Sequence, residues 1–249
     1  MTDSVPRKFV ILAVPRTGSN LLCTLLNSHP EILCHHEVFN PDGIFTAVTH
    51  RDRDLGLGTV CERDAAPLEF LEKVWATGQG YGCVGFKWTR RQNENVLAAV
   101  VQDAGIRKIV LRRRNRIKTY VSDKIAQQTQ QWEVYSRDEL QWPRPRIVAD
   151  KEELLEHMAV NERFYRRLED MLASHRQHGF SLCYEDLLDR AQQRRLLEFL
   201  QVQDLDCPLE AVSVKQNPTD LRDVIANYDD FSASIRREGL EEELHDTGI

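Results

Sequence analysis

The sequence contains no apolar run of the roughly 20 residues that a membrane-crossing helix needs. Its first residues, 1–6, lack a basic stretch followed by an apolar one, so a secretory signal is not expected. The six cysteines lie far apart and form no Cys-x-x-Cys pair. This spacing favours buried thiols in a reducing compartment over disulfides or a zinc site. Together these absences predict a cytoplasmic globular protein without a metal.

An excess of basic residues is also lacking. The formal net charge of the 249 residues is −6 at pH 7, which argues against a general nucleic-acid binder. The basic residues are nevertheless clustered, and the densest group is Arg112, Arg113, Arg114, Arg116 and Lys118. Such a cluster on an acidic protein suits a local anion site.

Short apolar runs of β type alternate with helical patterns along a single domain, 1–249. Strand candidates are 9–14, 32–34, 83–88, 108–112 and 180–184, and helix candidates include 67–77, 93–104 and 151–178. This alternation predicts an α/β fold with a mostly parallel central sheet and helices on both faces. Residues 40–66 and 131–150 are predicted to be acceptor-side loops beside a binding site, and the acidic tail 238–249 is predicted to be mobile.

The first strand candidate leads through the turn Pro15-Arg16-Thr17-Gly18-Ser19-Asn20 into an apolar helix. The free N–H groups of a helix N-terminus and the helix dipole favour an anion at such a turn. Arg16 adds a planar positive fork that matches phosphate oxygens, and Thr17 and Ser19 add hydroxyl donors. The turn lacks the Gly-Lys of a Walker A loop and the three glycines of a dinucleotide fingerprint. The alternative is that Thr17 or Ser19 caps the helix while Gly18 makes the turn.

Other polar residues are expected at the same edge of the sheet. Ligands of parallel α/β sheets bind beyond the carboxyl ends of the strands. Glu37 follows the second strand candidate, Lys87 lies in the third, and Tyr184 ends the fifth. Arg114 and Ser122 are eight residues apart across a strand-to-helix turn. That separation lets both side chains reach one bound anion.

These motifs resemble those of a known family. The turn 15–20 is similar to the 5′-phosphosulfate loop of sulfotransferases that use 3′-phosphoadenosine 5′-phosphosulfate (PAPS). Arg114 followed by Ser122 resembles the 3′-phosphate motif of that family, and 184–186 resembles its Tyr-Glu-Asp segment beside the adenine. In order and spacing the motifs look most like those of bacterial carbohydrate sulfotransferases of the trehalose and nodulation-factor type.

The resemblance implies a P-loop-like, sulfotransferase-type domain that transfers a sulfuryl group from PAPS to a hydroxyl of a carbohydrate or glycolipid, without a metal. Glu37 is implied as the catalytic base, with Arg16 and Lys87 stabilising the charge that grows on the departing nucleotide. The residues implied in binding the donor are Arg16, Thr17, Gly18, Ser19, Asn20, Arg114, Ser122, Tyr184 and Lys215. Animal cytosolic members carry Lys-x-His where this chain has Lys87-Trp-Thr89, which strengthens the assignment of Glu37.

Two other functions stay open on the residues alone. A nucleotide-dependent kinase would also use a phosphate loop, although Gly-Lys-Ser/Thr is missing here. A non-catalytic module could bind an anionic ligand or a protein partner at the basic edge, with Glu37 as an ordinary surface carboxylate. The acceptor is equally open, because Trp132, Tyr135 and Trp142 suit a sugar or a small phenol. The sequence does not reveal the oligomeric state.

Overall fold

The computed structural model describes residues 5–140, 145–212, 216 and 218–245, and Trp142 and Lys215 lie outside them. The strands are β1 (Arg7–Ala13), β2 (Ile32–His35), β3 (Cys83–Thr89), β4 (Ile106–Arg112) and β5 (Gly179–Cys183). The helices are α1 (Ser19–Asn27), α2 (Val60–Ala65), α3 (Pro67–Ala76), α4 (Glu94–Gln102), α5 (Arg116–Thr129), α6 (Lys151–Ser174), α7 (Arg190–Leu200) and α8 (Tyr228–Arg237). None of these helices combines the length and the apolar character needed to cross a membrane.

The strands form one parallel sheet in the order β2-β3-β1-β4-β5. β1 lies at its centre and pairs with β3 on one side and β4 on the other. Phe9 to Ala13 are completely buried, which is why this strand reads as an unbroken apolar run. The predicted α/β fold with a parallel sheet is confirmed.

Helices cover both faces of the sheet, as the alternating pattern predicts. Val10 and Leu12 of β1 pack with α3, α4 and α6, whereas Phe9, Ile11 and Ala13 pack with α1 and α7. This division follows from the period of two along a strand. A third apolar cluster packs α5 against α8 and the start of α6.

The topology places the loops that carry the site. The chain leaves β1 toward β2 but leaves the neighbouring β4 toward β5. Such a change of direction opens a crevice beyond the carboxyl ends of the two strands. Ala13 pairs with both Thr89 and Leu111, so the segments that follow the three central strands start side by side.

The segment 40–66, predicted to be an open loop, contains α2 and is partly buried. Arg63 of α2 is buried and donates hydrogen bonds to the carbonyl oxygens of Val38, Asn40 and Gly43. One guanidinium therefore holds this turn-rich segment against the end of β2. The composition did not reveal this because the three acceptors are backbone groups.

The tail predicted to be mobile from residue 238 packs against α5 over its described part. The carboxylate of Glu243 accepts from the backbone N–H of Arg116 at 2.6 Å and pairs with its guanidinium. Leu244 beside it is buried. A carboxylate is favoured at a helix N-terminus, so the start of α5 supplies a partner for this acidic segment.

Candidate active site

A cavity of about 910 Å³ opens at the carboxyl edge of the sheet, a volume within the range of small-molecule sites. Its walls come from the turn after β1, the end of β3, the first turns of α5 and parts of both predicted acceptor-side segments. Its lining includes Arg16, Gly18, Ser19, Asn20, Glu37, Lys87, Gln92, Arg113, Lys118, Ser122, Glu133 and Tyr184. Most of the residues predicted from the sequence therefore meet in one place.

The turn after β1 exposes the N-terminus of α1 to this cavity. Arg16 and Gly18 have left-handed backbone conformations, with φ of 65° and 86°. Gly18 is the N-cap of α1 and no side chain caps the helix, so the alternative in which Thr17 or Ser19 caps it is wrong. Gly18, Ser19 and Asn20 line the cavity. The positive end of the helix dipole therefore faces the cavity, as an anion site requires.

Tyr184 closes one side of this turn. A Cβ atom placed on Gly18 would lie 2.2 Å from Cδ2 of the Tyr184 ring. The guanidinium carbon of Arg113 lies 4.5 Å from the centroid of the same ring. Glycine is thus needed at position 18 for two reasons, the positive φ and the close approach of the ring.

The hydroxyl of Thr17 is used inside the turn. It donates to the carbonyl oxygen of Val14 at 2.8 Å, and the residue is buried. The sequence predicts this hydroxyl as a ligand of the donor, and in the structure it connects the turn to the residue that follows β1. The hydroxyl of Ser19 remains on the lining of the cavity.

Arg16 reaches away from the turn toward α5. Its Nε donates to Ser122 Oγ at 2.9 Å, Nη1 to the Trp132 carbonyl at 2.7 Å and Nη2 to Gln216 Oε1 at 3.1 Å. The sequence predicted Arg16 beside Lys87 at the departing oxygen. The structure groups it with Ser122, to which its Nε donates.

Arg114 lies outside the cavity that Ser122 lines. Its guanidinium forms a two-pronged pair with the carboxylate of Asp186, and the residue is exposed outside the cavity. Lys118 does line the cavity, one helical turn before Ser122. The spacing of four residues on α5 puts both on one face, and this was the signal for Lys118 that the sequence reasoning missed.

Lys87 is buried and its ammonium contacts three side chains. Nζ donates to the amide oxygen of Asn20 and lies 3.0 Å from Glu37 Oε1 and 3.7 Å from Glu133 Oε1. Burial alone would lower the pKa of Lys87, but the two carboxylates outweigh it, so the pKa is raised. Lys87 is therefore an ammonium ion at neutral pH.

Glu37 is held opposite this ammonium by two amides. Its Oε2 accepts from Asn40 Nδ2 at 2.6 Å and from Gln92 Nε2 at 3.0 Å. Burial would raise the pKa of Glu37, but Lys87 and Asn40 outweigh this effect and the pKa is lowered, so the group is a carboxylate. Among the described side chains, Gln92 Oε1 is one of few buried oxygens without a hydrogen-bond partner. The site thus presents a carboxylate whose orientation is fixed by two amides and an ammonium.

Glu133 is a second carboxylate at Lys87, and the sequence reasoning did not identify it. It lies 3.3 Å from His36 Nδ1 and accepts from Arg51 at 2.7 Å. Burial would raise the pKa of Glu133, but His36 and Lys87 draw it far below its usual range. No periodicity marks this position, since it follows α5 in an irregular segment.

His35, the last residue of β2, and His36, which follows it, have different side-chain partners. His35 Nε2 lies 2.8 Å from Thr77 Oγ1, while His36 faces Glu133. Within the described parts of the chain, no three histidine, cysteine, aspartate or glutamate side chains are grouped to hold a metal ion.

Comparisons with known proteins show which class of protein the chain resembles. No family model matches the chain. Over 150 residues it is 30% identical to nodulation protein H of Rhizobium meliloti strain 1021, with 58% of each chain covered. Over 56 residues it is 46% identical to nodulation protein H of Rhizobium tropici, covering 20% of this chain and 22% of the relative. The matches thus span less than two thirds of the length of these curated relatives.

A solved structure extends the likeness to the whole fold. The sulfotransferase from Alicyclobacillus acidocaldarius superimposes with a TM-score of 0.50 at 18% identity, covering 97% of this chain and 96% of that chain. The chain therefore has a sulfotransferase-type fold. The resemblance to bacterial sulfotransferases of the nodulation type, inferred above from three motifs, is confirmed.

Proposed function

We propose that this protein is a sulfotransferase that moves a sulfuryl group from PAPS to a hydroxyl of a carbohydrate or glycolipid. The observation that carries the proposal is the Lys87–Glu37 pair, 3.0 Å apart, in the cavity that also holds the open N-terminus of α1. The likeness to nodulation protein H and to a solved sulfotransferase supports it. An anion site and a proton acceptor in one cavity are what sulfuryl transfer to a hydroxyl requires.

Two groups of residues would hold the donor. The N–H groups at the start of α1, with the hydroxyl of Ser19, suit its 5′-phosphosulfate. Lys118 and Ser122 on one face of α5 suit its 3′-phosphate, together with the guanidinium of Arg16. The Tyr184 ring beside the turn suits contact with the adenine.

Glu37 and Lys87 would act on opposite sides of the transfer. The donor supplies the sulfuryl group. Glu37 accepts the proton of the acceptor hydroxyl as general base, while Gln92 and Asn40 hold its carboxylate in place. The Lys87 ammonium would face the charge that develops as the nucleotide departs, and its burial strengthens that interaction.

The acceptor side suits a sugar ring. Phe45 is 39% exposed and Trp132 is 44% exposed, and both line the cavity. These two residues come from the segments predicted to form the acceptor side. Exposed aromatic faces beside carboxylates and amides are suited to stack on a sugar and to accept its hydroxyl hydrogens.

Thermal shift and turnover measurements test this function. We expect 3′-phosphoadenosine 5′-phosphate to raise the melting temperature more than ATP or AMP does. With labelled PAPS and a panel of sugars and phenols, Glu37→Gln should lower turnover on the order of a hundredfold or more while nucleotide binding is kept. Glu69→Gln, an exposed carboxylate on α3, is the control. A bisphosphate nucleotide that stabilises no better than AMP would overturn the proposal.

A further inference from the structure

Both carboxylate oxygens of Glu133 have partners beside the proposed site of sulfuryl transfer. Its Oε1 lies 3.7 Å from Lys87 Nζ and 3.3 Å from His36 Nδ1. Its Oε2 accepts from Arg51 at 2.7 Å and from the Tyr135 hydroxyl at 2.7 Å. Each carboxylate oxygen therefore has its own pair of partners. A side chain bonded at both oxygens has little freedom to turn.

The partners of Glu133 differ in kind from those of Glu37. Apart from its ion pair with Lys87, Glu37 accepts hydrogen bonds from two neutral amides, those of Asn40 and Gln92. Glu133 instead is bonded to the permanent cation Arg51, which also donates to Tyr135 at 3.1 Å. Glu133 is thus a fixed anion, whereas the cation paired with Glu37 is Lys87, which it shares with Glu133.

This difference bears on how Lys87 is shared. An ammonium held by one carboxylate alone would neutralise that carboxylate and make it a poor proton acceptor. With a second carboxylate fixed beside it, the Lys87 ammonium is attracted to both carboxylates and not to Glu37 alone. The ammonium can then turn toward a developing anion while it stays charged.

We propose that Glu133 is a positioning residue of the transfer site, which holds the Lys87 ammonium in place and keeps it from pairing with Glu37 alone. The inference rests on the proposed sulfuryl transfer. Arg51 and Tyr135 hold Glu133 in turn, so that the segments 40–66 and 131–150 are joined at the transfer site. Neither segment therefore serves merely to contact the acceptor.

The decisive variant is Glu133→Gln, which keeps the shape of the side chain and removes its charge. We expect kcat with PAPS to fall on the order of a hundredfold, as for a misplaced reacting group, with a smaller change in the KM for PAPS. Lys87 loses a carboxylate that raises its pKa, so the basic limb of the pH profile of kcat should move to lower pH. A purely structural role would lower the melting temperature without moving this limb.

Three further variants complete the test. Glu133→Asp should recover part of kcat, and Glu69→Gln should leave both kcat and the basic limb at wild-type values. Arg51→Gln removes the anchor but not the charge of Glu133, so it should lower kcat less than Glu133→Gln and leave the basic limb in place. If Glu133→Gln does not fold, Arg51→Gln and Glu133→Asp decide the question, and wild-type kcat in both overturns the inference.

The two proposals fail in distinguishable ways. A wild-type protein that neither binds 3′-phosphoadenosine 5′-phosphate nor transfers a sulfuryl group defeats the proposed function. An active wild type whose Glu133→Gln variant keeps the same kcat and the same basic limb defeats the positioning role alone.

Discussion

The two ends of the carboxyl edge of the sheet hold their charges in different ways. At the end beside β2 and β3, Lys87 is buried between Glu37 and Glu133. At the end beside β4 and β5, Arg114 is exposed and paired with Asp186. Removing one partner of a buried pair leaves an uncompensated charge, whereas an exposed pair contributes little to stability. The first end therefore depends on every member of its network, and the second tolerates loss.

The largest effect is expected for Lys87→Met. It leaves two carboxylates facing each other in a buried site, so the free energy of unfolding should fall by about 3–5 kcal/mol. Urea unfolding measures this against Lys73→Met, an exposed lysine on α3. Adding Glu37→Gln to Lys87→Met should restore part of the loss. Equal unfolding midpoints for Lys87→Met and Lys73→Met would show that the buried network does not stabilise the fold.

Gly18→Ala tests the anion turn where the two ends meet. The positive φ and the contact with Tyr184 should together lower the free energy of unfolding by about 1–3 kcal/mol, and nucleotide binding should weaken. Gly80→Ala is a matched control, because Gly80 has a φ of 90° but no atom within 4 Å of its added Cβ. The excess loss in Gly18→Ala measures the Tyr184 contact. Equal losses would mean that the ring moves aside at no cost.

Acid should lower the stability of the fold through the buried His35. Burial, with His50 and His36 nearby, lowers the pKa of His35 to about 3. Since the unfolded chain binds this proton from about pH 6.5 downward and the folded one only near pH 3, stability is lost as the pH falls through this window. The slope is at most about 1.4 kcal/mol per pH unit. It should be shallower in His35→Gln than in His178→Gln, an exposed control, when urea unfolding is repeated across the window; equal slopes would contradict the assignment.

The smallest effect on stability is expected at the exposed end. Arg114→Met should change the free energy of unfolding by less than about 1 kcal/mol, as for other surface pairs. In titrations with 3′-phosphoadenosine 5′-phosphate, Lys118→Met should weaken binding more than Arg114→Met, because Lys118 lines the cavity and Arg114 does not. The reverse order would show that Arg114 leaves Asp186 to hold the nucleotide.

Much of the site was open to prediction because it lies next to regular elements. Gly18 is the turn between a buried strand and a helix, and Lys87 lies in an apolar strand that ends at the same edge of the sheet. Their positions follow from periodicity and from the geometry of parallel strands. Glu133 had no such neighbour, since it lies in an irregular segment and meets Lys87 through contacts between residues distant in sequence.

Arg114 shows the limit of spacing arguments. Eight residues separate it from Ser122, which predicts proximity but not the direction of a long side chain. Asp186, more than seventy residues away in the chain, accepts that guanidinium. That pairing is a tertiary contact, which the spacing of residues along the chain does not specify.

By itself the sequence determined the alternation of strands and helices, the parallel sheet, and the glycine turn that leads into α1. These follow from local causes: apolar period, the conformational freedom of glycine, and the common edge at which parallel strands end. Only the tertiary structure decided which charges are shared there. It placed Lys87 between Glu37 and Glu133, turned Arg16 toward Ser122 and brought the acidic tail onto α5. The reason is physical, since an ion pair depends on distance and burial in space, and neither is encoded in the spacing of residues along the chain.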